Sequence, residues 1–277
     1  MSSTDRQVAK LDRVPLPIEA ARVGATGWQL TRTGARVLCR LAGKGSLSDK
    51  VIREVPQAFA DLGPTYVKLG QIIASSPGAF GEGLSKEFRS LLDSVPPADT
   101  AQVHRLFKEE LGADPAELFA SFDDEPFASA SIAQVHYATL HSGEDVVVKI
   151  QRPGIRRRVA ADLQILKRFA QVAEFAKTGW RLSAKDVVAD FAENLAEELD
   201  FRIEAQSMEA WVSGLHNSPL GRNIMVPDVH WEFTSERVLT MARVEGVRID
   251  DVAAIRKQGL DGTELVKALL FSTFEGG

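Results

Sequence analysis

Two hydrophobic periods divide the chain, and the change between them falls near Ser121. Before it, apolar residues recur at helical spacing. The pattern predicts a helix over about 18–41, where Arg22, Arg32, Arg36 and Arg40 alternate with Val23, Trp28, Leu30, Val37 and Leu38. Gly24, Gly27 and Gly34 weaken it by roughly 1 kcal/mol each relative to Ala. After the linker GKGSLSD (43–49), helices are expected at about 49–62 and 64–75. The second has Pro64 at its first position, where a missing N–H costs nothing. SSPGAFGEG (75–83) breaks the pattern, and short helices follow near 84–92 and 99–112.

Beyond Ser121 the period shortens. Residues 132–140 alternate as a strand, HSGED (141–145) supplies turn residues, and 146–150 form a short apolar strand, so the three read as an antiparallel hairpin. Two long helices are expected at 155–177 and 184–213, the second ~45 Å long at 1.5 Å per residue. Strands return at 224–232 and 236–244, then helices near 249–258 and 262–275. The fold class is α+β, a helical extension followed by a small antiparallel sheet with packed helices.

The 277 residues suffice for one large domain or two modest ones, and 44% hydrophobic with 26% charged residues is an ordinary globular composition. The net charge of -5 is unevenly spread. Residues 1–45 carry eight Lys/Arg against three acids, leaving -10 on the rest. A basic arm on an acidic body points to an anionic partner, a membrane surface or nucleic acid, or to a plain solvated helix face; of the partners an anionic membrane surface is retained and nucleic acid is not. Cys39 is the only cysteine, which excludes a disulfide framework and a cysteine metal site. No apolar run approaches the ~18 residues of a membrane span. The N-terminus lacks a secretory apolar segment. A cytoplasmic protein is expected, with peripheral membrane contact open.

Three segments carry candidate chemistry. Lys149 interrupts the apolar strand VVVKI, where a lysine is costly to bury unless an anion receives it. Exposure on a half-buried strand face is the alternative. It lies one hairpin after the small-residue loop Ala128, Ser129, Ala130, Ser131, and that order is the order of a kinase nucleotide lobe. On the helix at 184–213, Glu193, Glu197, Asp200 and Glu204 are spaced 4, 3 and 4 and share one face, with Glu198 off it. Such a stripe wants a cation, or is simply solvated. In PTYVKLGQ, Lys68 and Gln71 point the same way, and Gly70 between them suggests close packing.

Together these segments resemble the UbiB/ADCK (AarF-type) family of atypical protein-kinase-like proteins, linked to ubiquinone and other isoprenoid-lipid metabolism. YVKLGQIIASSP looks like its K-x-G-Q signature (Lys68, Gly70, Gln71), and PFASASIAQVH looks like its alanine-rich loop (Ala128, Ser129, Ala130, Ser131). VVVKIQRPG resembles the strand with the nucleotide-binding Lys149. EELDFRIEA resembles the E-x-D signature (Glu198, Asp200), followed by Glu204 as partner of Lys149. VLTMARVEG (238–246) resembles the hinge, with Ala242 where the family usually has Glu.

The resemblance implies a kinase-like N-lobe behind a helical extension, and ATP or ADP with Mg2+ as cofactor. It divides the chain into a basic arm (1–45), a K-x-G-Q extension (46–120), a nucleotide lobe to the hinge (121–246) and the start of a C-lobe (247–277). The family's catalytic Asp/Asn loop and D-F-G metal motif are expected to lie beyond this chain, so no catalytic or metal residue is assigned within it. The pairs Asp190–Phe191 and Asp200–Phe201 are not credible metal motifs. Three functions follow: an ATPase or kinase-like enzyme of isoprenoid-lipid metabolism, truncated here; a catalytically inactive nucleotide- or partner-binding fragment, lipid-biosynthesis proteins included; or a membrane-surface adaptor.

Overall fold

The computed structural model describes residues 47–89, 97–175, 183–215, 224–249 and 251–275, with Gly24 and Trp28 besides. The expected basic helix at 18–41 lies almost wholly outside these residues. The described part falls into two compact units.

One unit draws on residues up to Ala98, on Ala128–Gln134 and on Gln151–Leu199. Its helices are α1 (Leu47–Leu62), α2 (Pro64–Ser75), the single turn α3 (Pro77–Phe80), α4 (Glu82–Phe88), α7 (Ile155–Phe175) and α8 (Ala184–Glu198). α2 begins with Pro64, as its sequence predicts, behind Gly63 at φ +106°. It packs on α1, α4 and α7, while α8 packs on α7. Ser183 caps α8 by accepting the Asp186 N–H. The polar anchor between α2 and α7 is buried: Thr65 Oγ1 donates to Asp162 Oδ2 at 2.7 Å.

The other unit draws on Asp99–Phe127, Val135–Ile150 and Asp200 onward. It holds α5 (Thr100–Leu111), the single turn α6 (Pro115–Leu118), α9 (Phe201–Leu215), α10 (Val252–Lys257) and α11 (Gly262–Glu275). Asp99 caps α5 at one end and Gly112, at φ +81°, closes the other. Its strands are β1 (Ser121–Phe122), most of β3 (Ala133–Thr139) and of β4 (Asp145–Gln151), and β5 (Val238–Ala242), while β2 (Ala128–Ser129) belongs to the first unit's segment. They form one sheet in the order β1-β3-β4-β5, with β2 also on β3. β4 alternates as a half-buried strand should: Val146, Val148 and Ile150 have no exposure, and Val147 and Lys149 face the other way. Phe107, Phe119 and Phe122 close the core in a cluster with ring centroids 5.4–6.1 Å apart. α9 packs on β5 and on α11.

Three expectations are corrected. The helix at 184–213 is two helices, parted at Leu199–Asp200. The Leu199 carbonyl accepts Gln151 Nε2 at 2.6 Å and a second donor, Arg156 Nη2. Asp200 then caps a new helix, its carboxylate accepting the Arg202 N–H at 3.1 Å. The four-carboxylate stripe goes with it: Glu193 and Glu197 are exposed on α8, whereas Asp200 is buried. The segment 224–232 is not a strand. Pro227 offers no N–H, a 3-10 turn follows at Trp231–Phe233, and only the bridge Val229–Met241 survives between them. β1 and β2, two residues each, went unforeseen because so short a pair shows no period.

Candidate functional site

The expected cation and carboxylate meet. Lys149 lies on β4 opposite Leu239 of β5. Its Nζ donates to both oxygens of Glu204, at 2.8 and 2.6 Å. Glu204 stands in the first turn of α9, where a negative charge suits the helix dipole. Phe201, the first residue of the same turn, places its ring 4.8 Å below the same ammonium. The Lys149 side chain keeps 26% exposure. A lysine ammonium has three donors, of which Glu204 takes two. The third suits an anion arriving from solvent.

The base of α9 is fixed around this pair. Arg202 donates to the Asp200 carboxylate from Nε at 2.8 Å and from Nη2 at 2.7 Å. That hydrogen bond holds the guanidinium pKa above its ordinary value. The Phe201 N–H donates to the Glu236 carbonyl at 3.1 Å, just before β5. Arg237 next to it reaches Glu110 at 2.7 Å and Glu109 at 2.8 Å on α5. Glu204 is therefore presented by a helix end that is held on several sides.

The K-x-G-Q and E-x-D segments lie in the other unit up to Leu199. Lys68 of α2 forms an ion pair with Glu198 of α8 at 2.9 Å. Gly70 is buried and Gln71 half-buried on α2. Asp200 of the same signature is turned to Arg202 and the start of α9 instead. Of the alanine-rich loop, Ala128 and Ala130 are exposed and Ser129 half-buried, while Ser131 is buried at 1%. The loop's surface is thus methyl groups and backbone, with one hydroxyl at its edge.

Sequence reasoning passed over Arg152, in QRPG directly after Lys149's strand. Its guanidinium donates to the Ala130 carbonyl at 2.8 Å and to Ser129 Oγ at 2.6 Å. Periodicity carries no sign of it, since it falls in the turn between β4 and α7.

Residues 90–276 match the ABC1 atypical kinase-like domain. The chain belongs to this family. Rv0647c of Mycobacterium tuberculosis is 78% identical over 276 residues, which is 100% of this chain and 57% of that protein. The probable protein kinase UbiB of Azotobacter vinelandii is 42% identical over 205 residues, 74% of this chain and 38% of its own length. A solved structure, the complex of Rv3197 with erythromycin from Mycobacterium tuberculosis, is 33% identical with a TM-score of 0.48, covering 69% of this chain and 46% of that one. The chain therefore spans little more than half the length of these curated relatives, or less. In ABC1 terms its sheet, with helices packed on it, is a kinase-like, mixed α+β arrangement of the N-lobe kind. No helix among the described residues is long and apolar enough to cross a membrane.

Proposed function

We propose that this chain binds an adenine nucleotide, ATP or ADP, as part of a UbiB-type protein that couples nucleotide turnover to ubiquinone or other isoprenoid-lipid chemistry. The Lys149–Glu204 pair carries the reading: a cation on an apolar strand, oriented by a two-point carboxylate contact. Lys149 would donate to the nucleotide phosphates and Glu204 would hold its direction. By family resemblance the loop Ala128–Ser131 takes the role of a kinase glycine-rich loop, with Cβ atoms at 128 and 130 where glycine would leave room. Mg2+ would accompany the nucleotide by family resemblance. Among the described residues no group of three or more His, Cys, Asp or Glu could hold a metal ion. On this reading Lys149 would supply the phosphate-facing cation and Glu204 its orientation.

The test is a thermal shift with Mg-ADP and Mg-ATP on this chain and on Lys149→Ala. The expected result is a rise in Tm for the wild type that Lys149→Ala loses, with Glu204→Gln intermediate. A well-folded wild type that responds to neither nucleotide removes the proposal. For the basic segment 1–45, contact with an anionic lipid surface is the matching proposal. Liposome co-sedimentation should weaken when residues 1–45 are deleted, and unchanged binding would remove it.

A further inference from the structure

Arg152 ties the end of β4 to the loop that leads into β3. Its backbone N–H donates to the Ile132 carbonyl at 2.9 Å. Its guanidinium reaches back to the Ala130 carbonyl from Nε and to Ser129 Oγ from Nη2, at 2.8 and 2.6 Å. A single residue thereby holds positions 129, 130 and 132. The loop's inner side is closed as well: the Ala130 N–H donates to the Ala133 carbonyl at 2.8 Å, and Ser131 and Ile132 are buried.

A glycine loop keeps freedom that alanine and serine lack. Here the Cβ atoms narrow the choices and Arg152 selects among them. Burial lowers the Arg152 pKa from its ordinary value, yet a guanidinium stays charged. A fixed positive charge is therefore held against the loop's outer backbone. The planar fork matters too, since it aims two donors at two acceptors at once, whereas a lysine ammonium offers a point charge.

We propose that Arg152 is a positioning residue for the loop 128–132, holding it in one register and so setting which phosphate chain length the loop accepts. The proposal rests on the nucleotide reading above. Its two parts are read by separate measurements on the full chain, using Arg152→Lys, Arg152→Gln and Ser129→Ala.

The first measurement is amide hydrogen exchange across 128–133 with no nucleotide present. Hydrogen bonds from a charged donor are each worth enough that Arg152→Gln should speed loop exchange by about tenfold or more, with Arg152→Lys between. Exchange unchanged from wild type in both Arg152 variants overturns the positioning role, whatever the nucleotide does. The second is calorimetric titration with Mg-AMP, Mg-ADP and Mg-ATP. Arg152→Gln should shift the ADP-to-ATP affinity ratio several-fold, Arg152→Lys should restore part of it, and Ser129→Ala should add little on top of Arg152→Gln. A faster-exchanging loop with an unaltered ratio overturns the selectivity claim. A wild type that binds none of the three overturns the nucleotide reading and the selectivity claim together, while the nucleotide-free exchange still decides whether Arg152 holds the loop. Arg152→Lys and Ser129→Ala keep the test decisive if Arg152→Gln fails to fold.

Discussion

The Glu198 carboxylate at the end of α8 accepts the Lys68 ammonium of α2 at 2.9 Å. The two helices share α7 as a neighbour, so the pair joins them across a common support. Both side chains are partly exposed, at 26% and 42%, and water screens their attraction. Such pairs contribute on the order of 0.5 kcal/mol. The contact therefore adds little to the stability of the unit.

Charge reversal should expose that coupling. Lys68→Glu and Glu198→Lys should each cost up to about 1 kcal/mol in urea unfolding, by placing like charges together. The double exchange should regain most of the loss. In 1 M salt, where the screening length is about 3 Å, the single variants should approach the wild type. Strictly additive losses in the double variant would show that the two residues do not interact in solution.

A second anchor of α2 is of another kind. Thr65 and Asp162 are both fully buried and joined at 2.7 Å. Thr65→Val keeps the shape and deletes the hydroxyl donor, at a cost of about 1–3 kcal/mol because the carboxylate stays in the interior. Thr65→Ser should retain most of the stability. Equal urea midpoints for Thr65→Val and wild type would mean that Asp162 is satisfied without it.

The sequence made the elements legible where one strong local signal governs each. Pro64 marks the start of α2, and the alternation of Val146, Val148 and Ile150 marks β4. The Lys149–Glu204 pairing was legible by resemblance, since only the family order brings a strand lysine to a helix carboxylate 55 positions on. The break at Leu199 was not. Glutamate, alanine and leucine on both sides favour helix, and the stop comes from Gln151 and Arg156 reaching the Leu199 carbonyl from far along the chain. Arg152 was hidden for the same reason: its acceptors lie 22 and 23 positions earlier.

His136 should give the unit with the sheet an acid-sensitive stability. Its ring is fully buried, stacked on Phe122 at 4.9 Å, with Nδ1 2.6 Å from the Asp123 carbonyl. Burial pushes its pKa below the ordinary 6.5, against the opposing pull of Asp123 and Asp124. The unfolded chain therefore takes up a proton at higher pH than the folded one. Stability from this residue is whole above about pH 6.5 and declines as the pH falls through the lowered folded value. Urea unfolding of wild type and His136→Gln at pH 7.5 and 5.5 checks it. The wild type should lose more than the variant on acidification; parallel losses would place the acid sensitivity elsewhere.

Gly63 separates two causes of glycine dependence. At φ +106° it occupies backbone space that residues with a Cβ rarely enter, and an added Cβ would stand 2.0 Å from Arg158 Nη2. That nitrogen donates to the Leu62 carbonyl at 3.0 Å, so the guanidinium can yield only by giving up the bond. Gly63→Ala should therefore cost about 1–3 kcal/mol in backbone strain, with about 1 kcal/mol more for the displaced hydrogen bond. In an Arg158→Ala background the second part is already lost, and Gly63→Ala should cost only the first. Urea unfolding of the four proteins in this cycle measures the difference. The same penalty in both backgrounds would assign the whole effect to backbone strain and none to Arg158.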